Sequence, residues 1–226
     1  MQDYEDLREN MVQRQLIDRG VHDPAVLAAM RRVPRHAFVP DNTRALAYDD
    51  GALPIECGQT ISQPYIVALM LQSAMLRPSD RVLEIGTGSG YAAAVMARIV
   101  QVVHTVERHE RLALKAREQL QRLGCDNVIV HVDDGTLGLP SRAPFDAIVA
   151  AASGPYVPPA WREQLAIGGR LIMPVGPSSG PQHLIRLWRE ADTDYREQSL
   201  GMVAFVPLIG KQAWHSEGDN DHAPNP

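Results

Sequence analysis

Apolar residues recur along this chain in two rhythms. Over roughly its first third they return every three or four positions, and beyond that they gather into short runs separated by polar stretches. Tyr4, Leu7, Met11 and Leu16 fall roughly on one face, which predicts a helix over residues 4–19 with Gly20 as its stop. Asp23-Pro24 reads as an N-cap followed by proline at the first helical position. Val26, Leu27, Met30 and Val33 then give a second helix its apolar stripe, and Pro34 ends it. A third helix opens at Ser62-Gln63-Pro64 and carries Tyr65, Ile66, Leu69, Met70, Ala74 and Met75. Prolines and glycines break every periodicity between residues 34 and 58. Phe38, Val39, Tyr48, Leu53 and Ile55 make that segment too apolar for a disordered linker, so it is expected to pack as an ordered cap.

From Arg81 onward strand-like and helix-like runs alternate. Strands are predicted at 81–85, 102–107, 128–132, 145–151 and 170–175, with helices at about 91–100, 110–123 and 158–166. Leu112, Ala116, Leu120 and Leu123 form an i, i+4 stripe on the second of these helices, and Gly124 supplies its C′ stop. Such alternation implies an α/β, doubly wound, mostly parallel sheet with helices on both faces. After Gly176 the runs 183–190 and 202–209 flank the polar Asp192-Thr193-Asp194 and predict an antiparallel pair at one sheet edge, for seven strands in all. Residues 1–80 then form an N-terminal helical cap with a substrate-side loop, residues 81–215 the core, and the polar residues 216–226 a disordered tail, within one compact domain.

Composition narrows the functional classes. The chain has 226 residues, 45% of them apolar, and a net charge of −5 with acids and bases interspersed, so it lacks the basic footprint of a nucleic-acid binder. No apolar run reaches membrane-spanning length, the N-terminus lacks a signal-peptide core, and Cys57 and Cys125 make no disulfide framework. The expectation is a soluble cytoplasmic monomer. The eight histidines show no ligand spacing, so no metal is expected, and Cys57 reads as a small apolar filler.

The chemistry concentrates at Arg81-Val82-Leu83-Glu84-Ile85-Gly86-Thr87-Gly88-Ser89-Gly90-Tyr91, an apolar run, a glycine turn and the start of a helix. That geometry lets backbone N–H groups approach a ligand closely. Dinucleotide sites favour G-x-G-x-x-G, whereas here the spacing is G-x-G-x-G and Tyr91 stands where the third glycine would fall. Glu84 would repel a pyrophosphate and suits a cationic ligand, such as the sulfonium and ammonium of S-adenosylmethionine. Glu107, 21 residues after Gly86, closes the next strand and can accept both ribose hydroxyls of an adenosine, as it would for NAD. Asp133-Asp134-Gly135 closes the strand after that, and a carboxylate there can accept from an adenine amino group. The missing third glycine and Asp134 favour a methyl donor over NAD.

Upstream, Ala47-Tyr48-Asp49-Asp50-Gly51-Ala52-Leu53-Pro54-Ile55 and Gly58-Gln59-Thr60-Ile61-Ser62-Gln63-Pro64-Tyr65 resemble the protein-L-isoaspartate O-methyltransferases. The likeness continues through Val33-Pro34-Arg35-His36-Ala37-Phe38-Val39-Pro40, the glycine turn, Pro144-Phe145-Asp146-Ala147-Ile148-Val149, Gly168-Gly169-Arg170-Leu171-Ile172-Met173-Pro174-Val175-Gly176 and Phe205-Val206-Pro207-Leu208. It covers about residues 7 to 214. The resemblance implies a Rossmann-like methyltransferase fold and a repair reaction, in which a methyl group moves from S-adenosylmethionine to the free α-carboxylate of isoaspartyl residues in damaged proteins or peptides. The ester then cyclises to a succinimide.

The same resemblance implies that Ser62 is the active-site serine and that Thr60, Ile61, Val206, Pro207 and Leu208 line the substrate pocket. Glu84, Gly86, Thr87, Gly88, Ser89, Gly90, Glu107, Arg108, Asp134 and Gly135 would hold the cofactor. From the residues alone, Ser62 reads rather as an N-cap for the helix that follows, and the resemblance reverses that reading. Glu56, Asp133 and Ala204 depart from the family pattern, and Glu56 sets a second carboxylate near an anionic substrate. A related enzyme with a specialised carboxylate acceptor, and a non-catalytic S-adenosylmethionine-binding protein, are the alternatives.

Overall fold

The computed structural model describes residues 4–215. The tail expected to be disordered, 216–226, lies outside them. The main sheet has seven strands, β3 (Arg81–Ile85), β4 (Val102–Glu107), β5 (Val128–Val132), β6 (Phe145–Ala150), β7 (Leu165–Val175), β8 (Gln182–Arg189) and β9 (Tyr195–Val203). Their spatial order is β5-β4-β3-β6-β7-β8-β9. The pairs from β5 to β7 are parallel, and β8 runs antiparallel to both its neighbours. After β5 the chain crosses back over β3 to enter at β6, so β3 and β6 flank the point where the winding reverses. In open α/β sheets ligands settle in the crevice at that reversal.

β1 (Leu53–Pro54) and β2 (Thr60–Ile61) form a separate small hairpin. The helices are α1 (Tyr4–Asn10), α2 (Pro24–Arg32), α3 (Pro64–Ser73), α4 (Tyr91–Met96), α5 (Glu110–Arg122) and α6 (Pro159–Gln164). Asp23 caps α2, its carboxylate accepting from the N–H groups of Ala25 at 2.9 Å and Val26 at 3.0 Å. One side of the sheet, through Val82, Val103, Ala147 and Val149, packs against the N-terminal helices and α3 to α5. The other, through Leu83, Ile85, Phe145 and Ile148, packs against α6 and its surrounding loops.

The segment 34–58 is ordered, as its apolar content predicts, and it is pinned by Arg35. That guanidinium is fully buried, donates to the Ala47 carbonyl at 2.8 Å and lies 4.9 Å from the centre of the Tyr91 ring. Burial lowers its pKa. Arg170 ties the end of α3 to the sheet. It donates to the carbonyls of Ala74 at 2.6 Å and Met75 at 2.7 Å and pairs with the buried Asp80 at 2.5 Å.

Several boundaries differ from expectation. The first helix stops at Asn10 and continues as a π-helical turn (Met11–Leu16) and a 3-10 turn (Ile17–Arg19), which carry Met11, Val12 and Leu16 into the core. α4 and α6 are shorter than predicted, and β7 starts at Leu165 and runs 11 residues. The larger difference is at the edge. The second strand of the antiparallel pair is the polar Tyr195–Val203, not 202–209. The two-sided exposure of an edge strand asks for polar residues, while the apolar run 204–209 leaves the sheet to wall a cavity.

Candidate active site

The carboxyl ends of β3, β4, β5 and β6 open onto one cavity of about 220 Å³. Its floor is the glycine turn. Gly86, Gly88 and Gly90 hold φ of 89°, 88° for the last and 52° for the middle one, conformations closed to most side chains. Gly88 N–H donates to Glu107 Oε2 at 2.9 Å and His109 N–H donates to Oε1 at 3.0 Å, so one carboxylate braces the turn from the end of β4. Both oxygens keep lone pairs for a guest.

Glu84 is the electrostatic centre. It is 1% exposed and lines the cavity, and burial lifts its pKa to about 8. Thr105 Oγ1 donates to Glu84 Oε2 at 2.5 Å, and Thr87 Oγ1 lies 2.6 Å from Thr105 Oγ1, a chain of hydroxyls leading back to the turn. No cationic side chain pairs with Glu84 among the described residues. A buried carboxylate without a counter-ion is costly unless it is protonated or meets a cation. The cavity therefore fits a guest that is cationic where it meets Glu84 and carries hydroxyls where it meets Glu107. S-adenosylmethionine has both.

The model of the family described as protein-L-isoaspartate(D-aspartate) O-methyltransferase matches residues 7–213. The chain belongs to that family. A protein-L-isoaspartate O-methyltransferase 2 of Pelobacter propionicus is 58% identical over 207 residues, covering 92% of each chain. A protein-L-isoaspartate O-methyltransferase of Rhodopseudomonas palustris is 56% identical over 90% of this chain and 94% of its own. Among solved structures, a protein-L-isoaspartate O-methyltransferase superposes with a TM-score of 0.82 at 31% identity, over 91% of this chain and 67% of the other. A Plasmodium falciparum protein described as a putative member, in complex with S-adenosyl-L-homocysteine, gives 0.78 at 26% identity over 92% and 99%.

The methyltransferase cavity gathers Ser62, Thr60, Ile61, Val206, Pro207 and Leu208 with Glu84, Gly86, Thr87, Gly88, Ser89, Glu107, Arg108 and Gly135. A second cavity of about 690 Å³ adjoins it and shares Thr60, Ser62, Ala151 and Val206, so Ser62 stands where the two meet. The helix-cap reading of Ser62 does not describe this geometry. α3 begins at Pro64 with Gln63 at its N-cap, and among the described residues the Ser62 hydroxyl has no hydrogen-bond partner.

Gly90 and Asp134 stand outside the cavity lining. A Cβ at Gly90 would lie 3.3 Å from the Ala116 Cβ, so its glycine serves the packing of α4 on α5. The Asp134 carboxylate faces the loop after β5 and a neighbouring cavity of about 450 Å³. Glu56 points away from the acceptor side and pairs with Arg111 at 2.8 Å and with Lys115 on α5. Those cations lower its pKa, Lys115 foremost. Cys57 is no filler but exposed at the hairpin tip with φ 56°.

Gln59, His109, Ala151, Ala152 and Ile209 also line the cavity and were not anticipated. Ala151 and Ala152 follow β6, and counting that strand end beside the other three finds them. Ile209 ends the apolar run whose strand assignment hid its role. No helix among the described residues is long and apolar enough to cross a membrane, and no cluster among them has the makings of a metal site.

Proposed function

We propose that the family's reaction, methyl transfer from S-adenosylmethionine to the α-carboxylate of isoaspartyl residues, takes place in this chain at the junction of the two cavities, with Ser62 holding the acceptor. The observation that carries the assignment is the free Ser62 hydroxyl on the wall shared by both cavities. When bound, S-adenosylmethionine supplies a methyl group activated by a sulfonium. Glu84 then receives the donor's cationic amino-acid end and Glu107 its ribose hydroxyls. Ser62 and Thr60 orient the acceptor through hydroxyls.

No general base is needed, because a carboxylate is ionised at neutral pH. The residues around the acceptor contribute by what they lack. Ile66, Ala151, Met202, Ala204, Phe205 and Val206 line the wider cavity together with Ser62, and none of its lining residues is charged. Transfer joins an anion to a cation and cancels both charges. An uncharged pocket therefore favours the transition state over the separated ions. Its substrates are damaged proteins or peptides, and residues 202–206, which line the groove, offer backbone for an extended segment to pair with.

The test uses labelled S-adenosylmethionine with an isoaspartyl peptide and its aspartyl twin. Transfer confined to the isoaspartyl form supports the assignment, and equal labelling of the two, or none, ends it.

A further inference from the structure

Three hydrogen bonds from within the protein hold the Asp134 carboxylate. Oδ1 accepts from the Thr136 N–H at 2.9 Å and the Thr136 hydroxyl at 2.6 Å, and Oδ2 accepts from the Lys211 N–H at 2.9 Å. Thr136 Oγ1 in turn accepts from the Gln212 N–H at 3.1 Å. Gly210 presses so close that a Cβ there would lie 2.1 Å from Asp134 Oδ1. The bonds to Thr136 cap the short turn Gly135–Leu137, but the bond to Lys211 does nothing for that turn. It reaches across 77 positions to the C-terminal segment.

That segment walls the active site. Val206, Pro207, Leu208 and Ile209 line the donor cavity. Its near end is fixed at Ser153, whose N–H donates to the Val206 carbonyl at 2.8 Å and whose carbonyl accepts from the Leu208 N–H at 2.7 Å. Asp134 and Thr136 fix the far end, with Ile209 between the two anchors.

We propose that Asp134 is a positioning residue. From the end of β5 it ties down the strap of residues 206–212, and it thereby sets the wall against which donor and acceptor are held. The consequence for turnover rests on the isoaspartyl assignment above; the tie itself rests only on contacts within the chain. Gly210 is part of the same device, because any side chain there must dislodge the Asp134 carboxylate.

The test compares the full-length protein with D134A, D134N and G210A. It reads amide hydrogen exchange over 206–214, the Kd for S-adenosylhomocysteine by calorimetry, and KM and kcat on an isoaspartyl peptide. G210A is the informative variant, since Gly210 touches Asp134 and not the donor cavity. Exchange at 206–212 is expected to quicken about tenfold or more in D134A and G210A while α2 to α5 keep their protection. Peptide KM rises roughly fivefold or more, and a variant combining D134A with G210A is no worse than the worse of the two alone, as for residues acting through one contact. D134N keeps Oδ1 for Thr136 but turns an amide toward the Lys211 N–H, so it loosens the strap in a protein that still folds. The proposal is overturned if D134A and D134N weaken S-adenosylhomocysteine binding while 206–212 exchanges as in the parent and G210A is silent. Should the parent itself fail to methylate the peptide, the functional assignment falls, and the exchange comparison still decides the tie.

Discussion

At the scale of single residues, Ser62 and Glu84 separate stability from function in opposite ways. Ser62 makes no hydrogen bond among the described residues, so S62A removes a hydroxyl that the fold does not use. Its stability is expected within about 0.5 kcal/mol of the parent by thermal melting, while kcat/KM on an isoaspartyl peptide falls roughly 10- to 100-fold. Glu84 sits where the fold would prefer a neutral group. Burial holds its pKa at about 8 in the folded protein against 4.5 for a free glutamate carboxyl. Between those two values the unfolded chain gives up its proton and the folded chain keeps it, so stability falls as pH rises through the window. E84Q removes that slope. Melting curves from pH 4 to pH 9 should show the variant gaining on the parent from about 4.5 upward, while calorimetry finds S-adenosylmethionine binding weakened about tenfold or more.

At the scale of elements, the buried Arg170 to Asp80 pair joins the end of α3 to β7, and α3 begins two residues after Ser62. R170M leaves Asp80 buried without its partner and strips donors from the carbonyls of Ala74 and Met75. Denaturant unfolding should register a loss of about 3–5 kcal/mol. The neighbouring strands β4 and β5 carry His104 and His131, with Nδ1 and Nε2 3.1 Å apart. Burial, then the His131 charge, depresses the His104 pKa from 6.5 to about 4. The unfolded chain therefore takes up a proton first, and stability drains away as pH falls from 6.5 toward 4. H104F, packed on Phe145, should flatten that acid limb in a melting series, and a limb as steep as the parent's would refute the attribution.

Elements were most readable where a single constraint governs them. Strands β3 and β4 are buried apolar runs, β5 is an apolar run at the half-exposed sheet edge, and all three appear at their predicted positions. β9 was misplaced because apolar content reports burial, and burial at 204–209 comes from the active-site wall and not from the sheet. Gly90 and Asp134 show the same limit within the site. The motif places them beside the donor, yet whether a residue borders a cavity or a neighbouring helix or loop depends on contacts 26 and 77 positions away, such as Ala116 and Lys211. Glu56 looked like a repulsive charge for want of α5, whose cations lie 55 and 59 positions further on.

At the scale of the molecule, charge is distributed unevenly between the two halves of the site. The donor half holds Glu84 and Glu107, whereas the acceptor cavity is walled by uncharged residues. Attraction between an isoaspartyl carboxylate and this groove is therefore short-ranged and poorly screened by salt. Peptide KM should change less than about twofold between 50 and 500 mM salt, and a steep rise would mean that a cation outside the groove recruits the substrate. The polar edge strand β9 has a further effect. Arg196, Glu197, Gln198 and Ser199 stand exposed in succession, so charge and amide project from both sides of the last strand. An open row of peptide groups normally invites another chain to add on, and such a row is least inviting when its flanks are hydrophilic on either side. Hydrophilic flanks therefore make β9 a poor template for the strands of other polypeptides.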